Sequence, residues 1–368
     1  MATTTVRQPP AFAPVVDADI PVWLKEAKSA VRDLATPNPV IYWTDFLVCL
    51  FSGYGFAQLY FTLPGLSWAR VGCYLAAVFL IYRASSFAHE LVHLRQNQLK
   101  SFRVAWDLLC GIPILFPSFA YAHHLDHHRI TSYGTDGDGE YLPIGVDPPR
   151  TIGWLLMLTF VWPIMVVVRF LVLTPLSFLV PPFRPWLLTH FSSFGIANFN
   201  HRLAITPTTP LKYWAFLDLC CFARTLSPAV LLTIGALEWT RLPMLYSVAA
   251  GILTLNFIRA LCLHDYLHEG EPVSYLGQLQ DSITLPHNPL VAELFVPLGL
   301  RYHAVHHLFP HLPYHVLGKA HRRLMRTLPP DSDYHRTVRS GIAAVFHQLW
   351  KNTWAVKAEP QAEAKAAA

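Results

Sequence analysis

Apolar residues in this chain come in long runs, not in the spaced stripe of a surface helix. Residues 40–62, 68–88, 213–237 and 243–264 are mostly Val, Leu, Ile, Phe, Ala and Tyr. Each has the ~20 residues that a helix needs to cross ~30 Å of hydrocarbon. The first two runs are joined by L-P-G-L-S (Leu63 to Ser67) and the last two by E-W-T-R-L-P (Glu238 to Pro243), so each pair predicts a helical hairpin. Trp43, Trp68, Trp214 and Trp239 fall near the run ends, where interfacial aromatics sit. Two other apolar stretches are interrupted. Residues 104–122 contain Asp107, Gly111, Pro113 and Pro117, and residues 151–180 contain Pro163, Arg169 and Pro175 before Pro181 and Pro182. Proline removes a helical donor and clashes with the preceding turn, so both are expected to be interfacial or re-entrant.

This pattern predicts an all-α integral membrane protein with four transmembrane helices, interfacial or re-entrant helices and a polar cap made of 89–150 and 265–350. The membrane domain covers 21–350. A flexible N-terminus (1–20) and a disordered tail (351–368), ending in low-complexity K-A-E-P-Q-A-E-A-K-A-A-A, flank it. No signal-peptide apolar core is seen at the start.

Composition agrees. Of 368 residues, 53% are hydrophobic and 14% charged, against about 25% charged in soluble domains. The net charge of +5 suits lipid headgroups better than nucleic acid. Arg95, Lys100, Arg103, Arg129 and Arg150 lie in the first cap segment, and Lys319, Arg322, Arg323 and Arg326 in the second; the hairpin turns carry only Arg70 and Arg241. The positive-inside rule therefore places the cap and both termini in the cytoplasm. Six cysteines without a C-x-x-C pair, all in apolar surroundings, read as small buried hydrophobes.

Histidine changes the picture. There are 19, many clustered. His89 and His93 form H-E-L-V-H. His124, His127 and His128 form H-x-x-H-H, with His123 adjoining, and His303, His306 and His307 form a second H-x-x-H-H. At this histidine frequency H-x-x-x-H arises by chance about once, and H-x-x-H-H about 0.05 times. The paired H-x-x-H-H boxes carry the signal. On a helix, i, i+3 and i+4 share a face, so each box is expected to aim its rings at one point, and neutral imidazole binds Fe, Zn and Cu. Eight histidines exceed one metal's needs and imply two metals, each with a position left open. A ninth ligand is expected from L-C-L-H-D-Y-L-H at the end of the last run: His264, or one turn on, His268. If the clusters before 130 and after 260 share a site, an even number of crossings separates them, which again argues against a crossing at 151–180. Glu90, Asp126 and Asp265 adjoin the clusters and are either orienting acceptors for ligand rings or solvated charges. Asp218 and Arg224 are expected to pair, or Asp218 to sit among headgroups. The run T-D-G-D-G-E-Y (Thr135 to Tyr141) lacks a calcium-loop pattern and reads as a turn.

H-x-x-x-H, H-x-x-H-H and H-x-x-H-H, with two runs between the second and third boxes, resemble the membrane fatty acid desaturase/hydroxylase superfamily over about 40–328. R-Y-H-A-V-H-H-L-F-P-H-L-P-Y-H is similar to the third box of acyl desaturases. H-H-L-D-H-H-R-I-T-S-Y-G-T-D-G-D resembles the second box of the sphingolipid-desaturase-like branch. The resemblance implies a non-haem di-iron centre on the cytoplasmic side, held by His89, His93, His124, His127, His128, His264, His303, His306 and His307. It also implies a tunnel for an acyl chain on a lipid or thioester carrier, and O2 as co-substrate. No fused cytochrome b5 is visible, so electrons are expected from an external ferredoxin- or cytochrome b5-type donor. The expected reaction is removal of two hydrogens from adjacent methylenes to form a C=C bond; hydroxylation or ketolation of a lipid by the same superfamily is the alternative. The expected location is a bacterial inner membrane. Two rival readings are a membrane zinc hydrolase using H-E-L-V-H with Glu90 as base, and a metal-handling membrane protein without catalysis. The hydrolase leaves both H-x-x-H-H boxes unexplained, and the spans lack the polar path that metal transport needs.

Overall fold

The computed structural model describes residues 21–95, 97–194, 201–268, 270–271 and 273–366. The expected flexible segment 1–20 lies outside the described residues. Helix α1 (Val22–Val31) precedes α2 (Pro39–Thr62) and α3, which runs over Trp68–His93. The starts of α2 and α3 follow from their caps: Asn38 accepts from the Val40 amide with Pro39 behind it, and Ser67 accepts from the Arg70 amide. The two helices pack so closely that a Cβ on Gly53 would stand 2.8 Å from Ile81 Cγ1. Arg83 of α3 closes the pair by binding Asp45 at 2.6 Å.

The interrupted stretch 104–122 is broken where its breakers fall. Helix α4 (Lys100–Trp106) passes into a single wide turn, Asp107–Gly111, and later a short 3-10 turn, Ser118–Tyr121. The buried Asp107 accepts from the Ser118 amide (2.7 Å) and the Tyr213 hydroxyl (2.8 Å). After the one-turn helix α5 (His124–His127) comes α6 (Arg150–Leu179). The breakers predict an interrupted segment here, yet α6 is continuous, and among the described residues it joins the four expected spans as a fifth helix long and apolar enough to cross a membrane. Pro163 sits inside the α-helical part of α6 without breaking it, and beyond it Arg169–Leu173 forms a π turn, in which the Thr174 amide reaches the Arg169 carbonyl and Pro175 starts a renewed α turn.

The contacts of α6 show how it lies. Helix α7 (Phe183–Phe191) follows it, then the hairpin α8 (Leu211–Thr233) and α9 (Arg241–Leu261). Thr159 of α6 sits 3.3 Å from Thr254, seven residues from the Leu261 end of α9. Arg169 sits 3.1 Å from Asp218, seven residues from the Leu211 end of α8. Both positions stand toward the helix ends that lead to the histidine side, while between them the Phe160 carbonyl takes the Tyr246 hydroxyl at 2.8 Å, five residues from the Arg241 end of α9, so α6 reaches deeper into the bundle there. Asp218 is fully buried between Arg169 and Arg184, both at 3.1 Å, and does not pair with Arg224, whose guanidinium donates to Ser227 Oγ at 3.5 Å. The outward faces of the long helices are apolar: Phe51, Met157, Ile164, Leu219 and Val230 are exposed, as lipid contact requires. The protein is an integral membrane protein. Its six cysteines are free.

The cap is built by α10 (Tyr275–Asp281), α11 (His303–Leu308), α12 (Leu317–Thr327) and α13 (Ile342–Ala366). Isolated bridges join His264 to Ser282 and Thr284 to Tyr302, which brings the end of α9 beside α11. Of the basic cluster on α12, Arg323 pairs with Asp33. Helix α13 reaches Ala366, where composition predicts a disordered tail from 351. Ala, Glu, Lys and Gln are strong helix formers, and they extend a helix already anchored by buried Val345, Leu349 and Thr353.

One glycine is decisive. The Gly145 amide donates to the Tyr266 carbonyl at 3.1 Å, and a Cβ there would lie 2.5 Å from both the Asp265 and Tyr266 carbonyl oxygens. Neither backbone atom can yield. Gly145→Ala is expected to cost about 1–3 kcal/mol, as overpacking does, and to shift the segment carrying His264. A lowered thermal midpoint together with reduced bound metal would register both effects; an unchanged midpoint would contradict this packing.

Candidate metal centre

Three local geometries converge. The last turn of α3 presents His89 and His93. Helix α5 and the residue after it present His124, His127 and His128. Helix α11 presents His303, His306 and His307. His264 arrives from the segment after α9, through its isolated bridge to Ser282. The ring nitrogens assemble into two groups, each with one nitrogen per ring within 4.8 Å of the others: His89, His93, His124, His128 and His306 in one, and His127, His264, His303 and His307 in the other. In the first, Nε2 of His128 stands 3.0 Å from Nε2 of His124 and 3.0 Å from that of His306. In the second, His264 Nε2 stands 3.1 Å from that of His127 and 2.9 Å from that of His303. The groups adjoin, since the rings of His128 and His307 stack with centroids 4.5 Å apart.

The expectation that each box aims at one point needs correction. His124 and His128 join the first group and His127 the second; His303 and His307 join the second and His306 the first. Helical geometry explains the split. At 100° per residue, i and i+4 differ by about 40°, while i+3 falls about 60° to the other side. Each box thus gives its i, i+4 pair to one group and its i+3 ring to the other. His268 joins neither group and packs on Tyr133 and Tyr141.

The donor set fits metal. Both ring nitrogens of His89 and Nε2 of His93 are buried without a hydrogen-bond partner, and in the four-histidine group the Nε2 atoms of His127, His264, His303 and His307 stand 2.9–3.1 Å from their neighbours with only ring nitrogens facing one another. Unpaired buried polar atoms are costly, and a cation at the focus of each group would pair with the nitrogens aimed there. Burial first, then crowding by neighbouring rings, holds His124, His128, His303, His306 and His307 well below the ordinary imidazole value. Those rings are neutral, the form that binds metal. His127 goes the other way: burial would lower it, but the carboxylates of Asp138, Glu140 and Asp281, Asp138 foremost, together raise it.

Three acids orient the rings, and none is an acid singled out by sequence. Glu140 takes the His124 Nδ1 hydrogen at 2.7 Å and Asp138 that of His127 at 2.8 Å. Asp281 accepts from the Tyr133 hydroxyl at 2.6 Å, and that oxygen lies 2.9 Å from His264 Nδ1. Each bond on Nδ1 leaves Nε2 facing the group, as metal ligation requires. Asp138 is itself fixed by the amides of Gly134, Glu140 and Tyr141. The run T-D-G-D-G-E-Y is a turn, as expected, but it also delivers two carboxylates. Its acids within sixteen residues of the second box were the signal available. Glu90, Asp126 and Asp265 do not orient ligands. Glu90 binds the Tyr42 hydroxyl (2.5 Å) and the Tyr314 amide (3.1 Å), Asp126 binds Arg129 and His201, and Asp265 binds Arg339. Adjacency in sequence turned them off the ligand face.

A cavity of about 650 Å³ runs from His89 between α2, α3, α6, α8 and α9. Its walls are mostly apolar, and include Phe61, Ile114, Phe116, Trp162, Leu245 and Ile252.

A family model described as fatty acid desaturase matches residues 65–339. A ceramide hydroxylase of Caulobacter vibrioides (strain NA1000 / CB15N) is 33% identical over 336 residues, covering 91% of this chain and 95% of its own.

Proposed function

The chain belongs to the fatty acid desaturase family, and from that premise we propose that it is an O2-dependent membrane oxidoreductase that hydroxylates a ceramide-type lipid at two non-haem irons. One observation carries the reading: two adjacent groups of five and four histidines stand at the end of an apolar cavity in a membrane domain. The ceramide hydroxylase supports the choice of substrate and outcome because it aligns with 91% of this chain.

When bound, the irons supply what side chains lack, namely cleavage of an unactivated C–H bond with O2 and two electrons. The balance is R–H + O2 + 2 e⁻ + 2 H⁺ → R–OH + H2O. The protein's own part is positional. Asp138, Glu140 and the Tyr133–Asp281 pair hold the Nδ1 hydrogens in place. Their carboxylates also offset the charge of two cations among neutral rings. The apolar walls exclude water and hold the lipid chain. The two electrons come from an external ferredoxin- or cytochrome b5-type donor that docks on the cap, and the basic cap faces the cytoplasm of a bacterial inner membrane.

Desaturation is the second reading, supported by the description of the matching family model. Its balance is –CH2–CH2– + O2 + 2 e⁻ + 2 H⁺ → –CH=CH– + 2 H2O. A host expressing the protein under ¹⁸O2 separates the two. Hydroxylation puts one labelled oxygen into the lipid, whereas desaturation removes two hydrogens and incorporates no label. Neither change, in a host that supplies ceramide and a competent donor, would overturn the lipid-oxidation reading. The hydrolase reading uses one zinc and leaves the second group of histidines without a role, and Oε2 of its candidate base Glu90 is held by the Tyr42 hydroxyl and the Tyr314 amide.

A further inference from the structure

Arg259, in the last turn of α9, is 6% exposed and lines the cavity beside His89. A buried guanidinium is ordinarily matched by a carboxylate, because an unpaired buried charge is costly. Arg169 shows that solution, with Asp218 at 3.1 Å. Arg259 has only neutral partners among the described residues: Nε donates to Asn256 Oδ1 at 3.1 Å and Nη2 to the Tyr121 hydroxyl at 3.5 Å. Glu140 lies beyond Tyr121 and is committed to His124. Among the described residues no partner takes the Nη1 hydrogens, and Asn256, with its oxygen occupied, keeps its amide hydrogens for the cavity it lines.

These donors stand at one end of an otherwise apolar space, and that end is the metal end. The Tyr121 ring stacks on the His124 ring at 5.0 Å and 19°, so the free donors are one ring away from the five-histidine group. We propose that Arg259 and Asn256 bind a carbonyl or hydroxyl oxygen at the polar end of the lipid and thereby fix oxidation to a carbon within a few bonds of that oxygen. The substrate class is an amide- or hydroxyl-bearing lipid entering with its polar end toward the metals and its tail along the apolar walls. Apolar walls alone discriminate weakly between neighbouring methylenes, whereas a buried donor left unpaired strongly rejects a slipped chain. This inference rests on the lipid-oxidation reading for its consequence, but not for its binding step.

Binding is therefore measured without turnover. Full-length protein in lipid nanodiscs is titrated with a short-chain ceramide and with a chain-matched hydrocarbon analogue lacking the amide and hydroxyls. Wild type is expected to prefer the ceramide. Arg259→Gln is expected to weaken ceramide binding about 10- to 100-fold, the range for losing a charged hydrogen bond, with no change for the hydrocarbon and with bound metal retained. Arg259→Lys is expected to recover part of the preference. Where turnover is observed, Arg259→Gln is expected to spread the new oxygen over neighbouring carbons and to raise KM more than it lowers kcat. Equal ceramide affinity in wild type and an Arg259→Gln protein of wild-type metal content would overturn the inference. Should that variant lose metal through misfolding, Asn256→Ala decides: it keeps the guanidinium, and an unchanged ceramide preference in it overturns the proposal equally. Ceramide preference in a protein that oxidises no lipid would instead sink the lipid-oxidation reading and leave the binding site standing.

Discussion

Replacing His303 and His307 together by Ala is expected to reduce bound metal from about two ions per chain to about one, since both rings belong to the four-histidine group. His128→Ala with His306→Ala is expected to do the same by depleting the five-histidine group. His306→Ala with His307→Ala takes one ring from each group and is expected to weaken both sites. All three double variants are expected to lose more than ~100-fold in lipid oxidation, because loss of an outer-shell partner alone costs 10- to 100-fold. The measurement is elemental analysis of detergent-purified protein. It tests the partition itself: were each box a unit with its own metal, the 303/307 and 306/307 variants would behave alike. Equal metal loss in those two would falsify the partition read from the ring positions.

The second large effect is expected from acids that do not touch the metals. Asp138→Asn removes the charge behind His127 and weakens three amide bonds that fix the turn. Glu140→Gln and Asp281→Asn remove the charges behind His124 and behind His264, whose Nδ1 lies 3.2 Å from Asp281 Oδ2 and 2.9 Å from the Tyr133 oxygen. Each is expected to reduce metal affinity or activity by about 10- to 100-fold, with Asp138→Asn the most severe because Asp138 is fully buried. Asp126→Asn and Asp265→Asn are the matched controls. They lie closer in sequence to ligand histidines, yet bind Arg129, His201 and Arg339 instead. Chelator titration should separate the two sets. If Asp126→Asn lost metal and Asp138→Asn kept it, the assignment of the orienting acids would be wrong.

Much of this was legible before any coordinates. The two hairpins lie where the apolar runs and their Pro/Gly-rich turns put them, with ends shifted by no more than five residues. Their legibility has a simple cause: a span must be apolar all round for about 20 residues, and that demand is met by consecutive residues. The histidine boxes were legible for the same local reason, since i, i+3 and i+4 are neighbours on any helix. Helix α6 is continuous where its breakers predict interruption: Pro163 is held inside the α-helical part, and Pro175 follows a π turn whose Arg169 reaches Asp218, 49 residues away.

What only the tertiary structure decided are relations between distant residues. The allotment of each ring to one of two groups depends on how α3, α5 and α11 face each other. The identity of the orienting acids depends on a turn folding back 11 to 16 residues onto α5, and on Asp281 meeting Tyr133 across 148 residues. That Arg259 bonds no carboxylate directly, with Glu140 held beyond Tyr121, is visible only once its surroundings are assembled. The chain's own order therefore determined a membrane-spanning, histidine-rich protein, because hydropathy and helical periodicity are properties of neighbours in sequence. Packing decided which histidines act together and where a lipid's polar end can be held, because those distances are set between elements that no local pattern relates.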